Sequence, residues 1–188
     1  MKVIETYIPG LLIVEPDIFE DSRGYFFETY QEERYKKAGI KSVFVQDNES
    51  KSVKATLRGL HYQLAPFAQS KLVRVLEGRV YDVAVDLRKG SPAFGRWFGI
   101  ELNGENRLQL YIPKGFAHGF SVLSETAVFS YKCDNFYHKP AERSVNLNDP
   151  ILGIDWKLGS LNPVVSEKDL TAPWFRDAEM NFIFGHQS

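Results

Sequence analysis

A chain of 188 residues, 44% hydrophobic and 14% aromatic, is long enough to close one sizeable core and too apolar to stay disordered. Its formal charge is −1, from 23 basic and 24 acidic side chains. No global field therefore draws in nucleic acid or an anionic membrane, and an anionic ligand needs a local cluster of Arg and Lys. The single cysteine, Cys133, has no partner for an internal disulfide, and no apolar run reaches the length that crosses a bilayer. Glu5 and Pro9 fall where a secretion signal needs an apolar stretch. These features predict a soluble cytoplasmic protein. No internal repeat, low-complexity tract or linker divides the chain, so residues 1–188 read as one domain.

In chain order, residues 11–18 (LLIVEPDI) are strand-like, with Pro16 ending or edging the pairing. Asp21-Ser22-Arg23-Gly24 is a turn signal, and residues 25–30 resume an aromatic, β-like run. Residues 31–38 are the best helix candidate. Glu32 and Glu33 come early, Lys36 and Lys37 late, and Gly39 follows as a stop, an order that suits the helix dipole. From Val43 onward short strands are predicted over 43–45, 57–64, 72–76, 79–87, 96–102, 108–112, 119–123 and 127–131. Turn signals separate them at Glu77-Gly78, 89–92 (KGSP), Asn103-Gly104 and 113–115 (PKG). Many short strands at this spacing predict a mainly β sandwich or barrel. The stretch RVYDVAVD (79–86) alternates only partly, as it would with both faces covered. The last thirty residues lose the β rhythm and read as loop and short helix wrapped on the barrel.

Four histidines are present. His138 and His186 sit in polar, loop-like surroundings and read as surface residues. His61 and His118 sit beside glycines in strand contexts, either as hydrogen-bonded wall residues or as members of a site. Lys71 shares strand parity with Val73 and Val75, so it enters the interior if the valines do, and a buried lysine without a task is uncommon. Tyr131 shares a face with Phe129 and Ala127 and by itself reads better as a packing aromatic than as a site residue. The segment RGLHYQ (58–63) contains a conflict. Arg58 and His61 are three residues apart, so a regular strand sends them to opposite faces. Either a bulge at Gly59 brings both into one pocket, or Arg58 faces outward, toward a neighbouring subunit. A catalytic metal is disfavoured because a His-x-His pair is replaced by His61-Tyr62-Gln63, and glutamine is a poor substitute for imidazole. Neither a dinucleotide or phosphate loop nor a nucleophile elbow appears.

Taken in order, IPGL (8–11), DSRGYFFE (21–28), FVQDN (44–48), LRGLHYQ (57–63), KLVRV (71–75), PKGFAHGF (113–120), Tyr131-Lys132, Asp149-Pro150 and SEKD (166–169) resemble the dTDP-4-dehydrorhamnose 3,5-epimerase family. The resemblance implies a cupin-type jelly-roll β-barrel acting as a homodimer whose N-terminal strand reaches the partner, without metal or organic cofactor. It implies a dTDP-linked 4-keto-6-deoxy sugar as substrate, with the carbons on both sides of the ketone inverted by proton removal and return.

Residue by residue, His61 resembles the base, and Asp169 the carboxylate that orients it. Without the family, Ser166 to Asp169 reads as well as a helix capping box. Lys71 resembles the cation facing enolate charge, and Tyr131 the acid on the other ring face. Arg23, Glu28, Gln46, Asn48, Arg58, His118 and Lys168 resemble substrate contacts, with the arginines and Lys168 suited to a diphosphate. Phe19 and Phe26 read either as ligand-flanking aromatics or as core. Residues 65–70 (APFAQS) and 142–148 (ERSVNLN) depart from the family pattern, which leaves loop-borne specificity open. A mono-epimerase on a related dTDP-keto sugar is the near alternative. A metal-dependent cupin and a non-catalytic sugar-nucleotide binder are more distant ones.

Overall fold

The structure, a computed structural model, describes residues 1–185. Its strands are β1 (Lys2–Glu5), β2 (Leu12–Glu15), β3 (Phe19–Asp21), β4 (Gly24–Phe26), β5 (Gln46–Val53), β6 (Leu57–Gln63) and β7 (Lys71–Glu77). They continue with β8 (Arg79–Asp86), β9 (Trp97–Asn103), β10 (Gln109–Ile112), β11 (Phe116–Val122), β12 (Thr126–Cys133) and β13 (Glu142–Ser144). One sheet runs β1-β2-β10-β7-β12-β5 and faces a second, β13-β6-β11-β8-β9; β3 and β4 form a separate hairpin. The two antiparallel sheets make the cupin-type jelly roll that the family resemblance implies, and the mainly β character that the pattern of short strands predicts.

Alternation along the strands sorts side chains into three layers. On β8, Val80 and Ala84 point between the sheets, where they meet Val73, Val75, Phe120 and Phe129. Val83 and Val85 point the other way and are covered by Val145, Leu147, Leu152, Trp156 and Phe182 of the C-terminal segment. Both faces of β8 are thus covered, which explains its broken alternation. The outer face of the larger sheet is capped by Tyr35 and Ile40 over Leu72 and Tyr111. Tyr35 belongs to α1 (Glu32–Lys37), whose first turn is held by Gln31 accepting the Arg34 N–H at 2.6 Å.

Several elements differ from the sequence expectation. Residues 43–45 are not a strand; the polar run QDNESKSV that follows is β5, an edge strand paired with all of β12. One-sided polarity is what an exposed edge tolerates, and β-propensity alone does not reveal it. Of the aromatic run at 25–30, only its start is paired, as β4. β1 and β13 were not anticipated, being short and sustained by neighbours rather than by their own pattern. The C-terminal segment is irregular apart from α2 (Glu167–Leu170) and packs on the smaller sheet, as expected. His186 lies outside the described residues.

The parity conflict in β6 is resolved by a bulge. His118 on β11 pairs with His61, but Phe120 pairs with Arg58, so three steps on β6 match two on β11. Leu57 and Leu60 consequently share the outer core, while Arg58 and His61 both turn to the inner side. Gly59 takes φ +125°, and its peptide to Leu60 is cis. A β-carbon on Gly59 would lie 2.6 Å from the Gly119 α-carbon and 2.8 Å from the His118 carbonyl oxygen, so two glycines pack backbone against backbone. We expect Gly59→Ala to cost about 2–4 kcal/mol through overpacking and left-handed strain. In thermal melts that loss reads as a midpoint about 5–15 °C lower. A midpoint within about 2 °C of the parent would mean that β11 yields without penalty.

Candidate active site

His61 lies on the inner face of β6, and its Nε2 is 2.7 Å from Asp169 Oδ1. A carboxylate only accepts, so Nε2 carries a proton, and in the neutral ring Nδ1 holds the lone pair. Asp169 reaches this position from α2. Ser166 caps that short helix by accepting the Asp169 N–H at 3.2 Å, while the Asp169 carboxylate turns away to His61 and to the Gly59 N–H at 3.5 Å. The helix cap and the contact with His61 are therefore both present, made by different atoms of Asp169. Burial works to raise the Asp169 pKa, but the bond to His61 and the donors Ser166 and Gly59 outweigh it and hold the carboxyl below its ordinary range.

Lys71 and Tyr131 face His61 from the other sheet. They sit on β7 and β12, with Cys133 opposite Lys71 and Tyr131 opposite Val73. The Lys71 Nζ is 5.7 Å from the centre of the Tyr131 ring. Burial pushes the Lys71 pKa down and the Tyr131 pKa up. The phenol thus stays a proton donor, and the ammonium, stripped of water, has most to gain from a nearby oxyanion. Burial also raises Cys133 to about 11, so its thiol is inert at neutral pH, as a structural cysteine should be.

These side chains enclose a cavity of about 390 Å³, lined also by Gln46, Asn48, Gln63, Tyr137 and Glu142. A second hollow, of about 470 Å³, adjoins it and is walled by Arg58, Lys168, Asp169 and Ser52. His61 belongs to both walls and marks their junction. Arg58 is steadied by Nε donating to Ser52 Oγ at 3.1 Å. Two glutamines hold the loop above the cavity. Gln46 Oε1 accepts the Tyr137 N–H at 3.0 Å, and Gln63 Oε1 accepts the His138 N–H at 2.6 Å.

His61, Lys71, Tyr131, Gln46 and Asn48 thus line the cavity, and Arg58, Lys168 and Asp169 the adjoining hollow. His118 does not line either. It is 7% exposed behind His61, and its Nε2 is held by Asp82 Oδ2 at 2.9 Å. Burial lowers its pKa more than Asp82 restores it, so it is a neutral imidazole donating to a carboxylate. Arg23 and Glu28 also lie away from the cavity. Arg23 projects from the β3–β4 turn, paired with Asp21 at 2.6 Å, and Glu28 pairs with Arg34 at 3.3 Å. The expected surface residue His138 instead stacks on Phe67, with centroids 3.7 Å apart. Residues that sequence reasoning missed are Asp82, Gln63, Tyr137 and Glu142. Asp82 was legible, since it shares the inward parity of Val80 and Ala84. Gln63 shares the parity of His61 on β6, Glu142 enters through the pairing of β13 with β6, and Tyr137 depends on its loop. Among the described residues no three His, Cys, Asp or Glu side chains group as a metal site requires.

Comparison with known proteins adds three findings. The family model described as dTDP-4-dehydrorhamnose 3,5-epimerase matches residues 5–177. The dTDP-4-dehydrorhamnose 3,5-epimerase of Shigella flexneri is 53% identical over 180 residues, covering 95% of this chain and 98% of that protein. Two crystal structures superpose closely. The dTDP-4-dehydrorhamnose 3,5-epimerase of Elizabethkingia anophelis does so at TM-score 0.91 and 57% identity, covering 94% of this chain and 97% of that one. The dTDP-6-deoxy-D-glucose-3,5-epimerase of Legionella pneumophila, in complex with dTDP-4-keto-L-rhamnose, does so at 0.89 and 52%, covering 93% of each.

Asp169→Asn keeps the shape of the dyad but offers His61 an amide in place of a charge. We expect proton abstraction to slow about a hundredfold with little change in the melting midpoint. A loss below about threefold in turnover would show that His61 needs no orienting carboxylate.

Proposed function

Since the chain belongs to the dTDP-4-dehydrorhamnose 3,5-epimerase family, we propose that it inverts carbons 3 and 5 of dTDP-4-dehydro-6-deoxy-D-glucose, giving dTDP-4-dehydro-L-rhamnose in dTDP-L-rhamnose biosynthesis. The whole chain acts as one domain. The observation that supports the residue roles is the His61–Asp169 pair at 2.7 Å on one sheet, facing Lys71 and Tyr131 on the other across a single cavity.

The ketone at carbon 4 acidifies the neighbouring C–H bonds. His61 Nδ1 takes the proton from carbon 3 or 5, and the bonding pair moves into an enolate. Lys71 faces the charge gathering on the former carbonyl oxygen. The Tyr131 phenol returns a proton to the same carbon from the opposite ring face, and that opposition is what inverts the centre. The resulting imidazolium and phenolate exchange protons with water, and the cycle repeats at the second carbon. Proton transfer beside a ketone involves no change of oxidation state, and we assign no metal or organic cofactor to it. Arg58 and Lys168 take the diphosphate, while Gln46 and Asn48 offer polar contacts within the cavity.

Arg23 and Glu28, remote from this chain's own cavity, belong in this reading to a homodimer. β1 and β2 pair within their own chain. The hairpin β3–β4 is the part that stands off, with Phe19 64% and Phe26 69% exposed. Aromatics so placed on both strands of a hairpin suit insertion against a second copy, where Arg23 can reach a nucleotide. The site then works in the cytoplasm on a soluble sugar nucleotide.

The test is exchange in deuterated water after chelation, followed by NMR of the ring protons. We expect deuterium at carbons 3 and 5, no exchange at either with His61→Ala, and exchange outlasting epimerisation with Tyr131→Phe. Label at one carbon alone would mean a mono-epimerase, and activity that returns only on adding metal would overturn the cofactor-free mechanism. The rate should also fall as pH rises through the Lys71 pKa, because the ammonium is lost there, and burial places that fall below the ordinary lysine range. Burial raises Tyr131, so the same alkaline limb should remain in the exchange rate of Tyr131→Phe. Its disappearance in that variant would assign the limb to the tyrosine.

A further inference from the structure

Glu142 lines the cavity, reaches Lys168 of the adjoining hollow, and has no part in the proton transfers above. It opens β13, which pairs with β6 so that Glu142 lies opposite Gln63 and Ser144 opposite His61. Gln63 is two residues from His61, so the Glu142 side chain emerges on the same inner face as the base. It lines the cavity, and one oxygen, Oε2, receives two donors from different parts of the fold. Lys168 Nζ on α2 is 2.6 Å away, and Tyr137 OH on the covering loop is 3.1 Å away. Burial works to raise the Glu142 pKa, but Lys168, Tyr137 and the nearby His61 outweigh it, so Glu142 is a carboxylate.

This arrangement sets two demands on one charge. Arg58 and Lys168 are the cations of the diphosphate hollow, yet Lys168 is already engaged by Glu142 in the empty site. A diphosphate carries more negative charge than one carboxylate and reaches both cations at once, so it wins Lys168. Glu142 is then left bonded to Tyr137, facing His61 as that ring becomes positive. We propose that Glu142 is a positioning residue, a latch whose carboxylate holds Lys168 while the site is empty and serves the His61 imidazolium once the substrate's diphosphate has drawn Lys168 away. The latch rests on the assignment of His61 as base and Lys168 as diphosphate contact. It makes nucleotide binding itself strengthen the field that favours proton abstraction.

The test compares the wild type with Glu142→Gln, which keeps an acceptor for Tyr137 and removes the charge. Without the competing carboxylate, dTDP should bind about two- to fivefold tighter by calorimetry, the range of a half-exposed ion pair. Turnover in the deuterium-exchange assay should fall about tenfold, because the imidazolium loses a partner. General damage to the site would weaken both, so opposite movement is the signature. In a Lys168→Met background, Glu142→Gln should leave dTDP affinity unchanged, closing a double-mutant cycle. Unchanged or weaker dTDP binding by Glu142→Gln, or exchange at the wild-type rate, overturns the latch. If instead exchange survives His61→Ala, the assignment of the base fails, while the dTDP arm still decides the competition for Lys168.

Discussion

One extra residue in β6 governs the geometry of the site. Without the bulge at Gly59 and Leu60, Arg58 and His61 would point to opposite faces of the smaller sheet, one of them into the apolar layer under the C-terminal segment. With it, Leu57 and Leu60 both enter that layer, and the charged pair turns inward. The bulge needs room on the neighbouring strand, and Gly119 supplies it. Two glycines from distant parts of the chain are thus matched for steric reasons, and His61 and Arg58 inherit their directions from that match.

The same bulge connects the barrel to its C-terminal segment. The Gly59 N–H points at Asp169, whose carboxylate also accepts the hydrogen bond from His61 Nε2. A carboxylate only 3% exposed would be costly without such donors, and removing either partner would strand a buried charge. The apolar tail residues that cover the smaller sheet therefore do more than bury surface. They fix α2, a helix of four residues, so that Lys168 and Asp169 arrive beside His61 from over a hundred residues away.

The charged side chains of the site stand beside an apolar stack. Phe120 and Phe129 stack at 4.3 Å in the middle of the core, and His118 packs against Phe129 at 5.9 Å. Next to them the buried pair of Asp82 and His118 backs the cavity that His61 and Lys71 line. A low local dielectric magnifies each interaction among these groups. It suits a reaction whose difficult moment is a negative charge forming on an oxygen next to an ammonium.

Much was legible in the chain itself. Strand parity put Lys71 and Tyr131 on the faces of their apolar neighbours, the turn signals placed most strands, and the ordered motifs tied His61, Asp169 and Lys71 to one family. Parity is a local property, fixed by the two-residue repeat of the strand, so it survives folding wherever no bulge intervenes. What it could not supply was any relation between segments. Whether Arg58 joined His61 depended on Gly119, 61 positions further along, and whether Asp169 was a cap, a partner or both depended on where the tail docked. Arg23 and Glu28 carried the right motif yet stand apart from this chain's cavity, while Glu142, without a periodic pattern around it, entered the cavity through its pairing with β6. The sequence by itself determined the strands, their faces and the chemical groups available. Only the tertiary structure decided which of those groups meet, because contact across the barrel is set by sheet register and loop docking, which no single stretch of chain encodes.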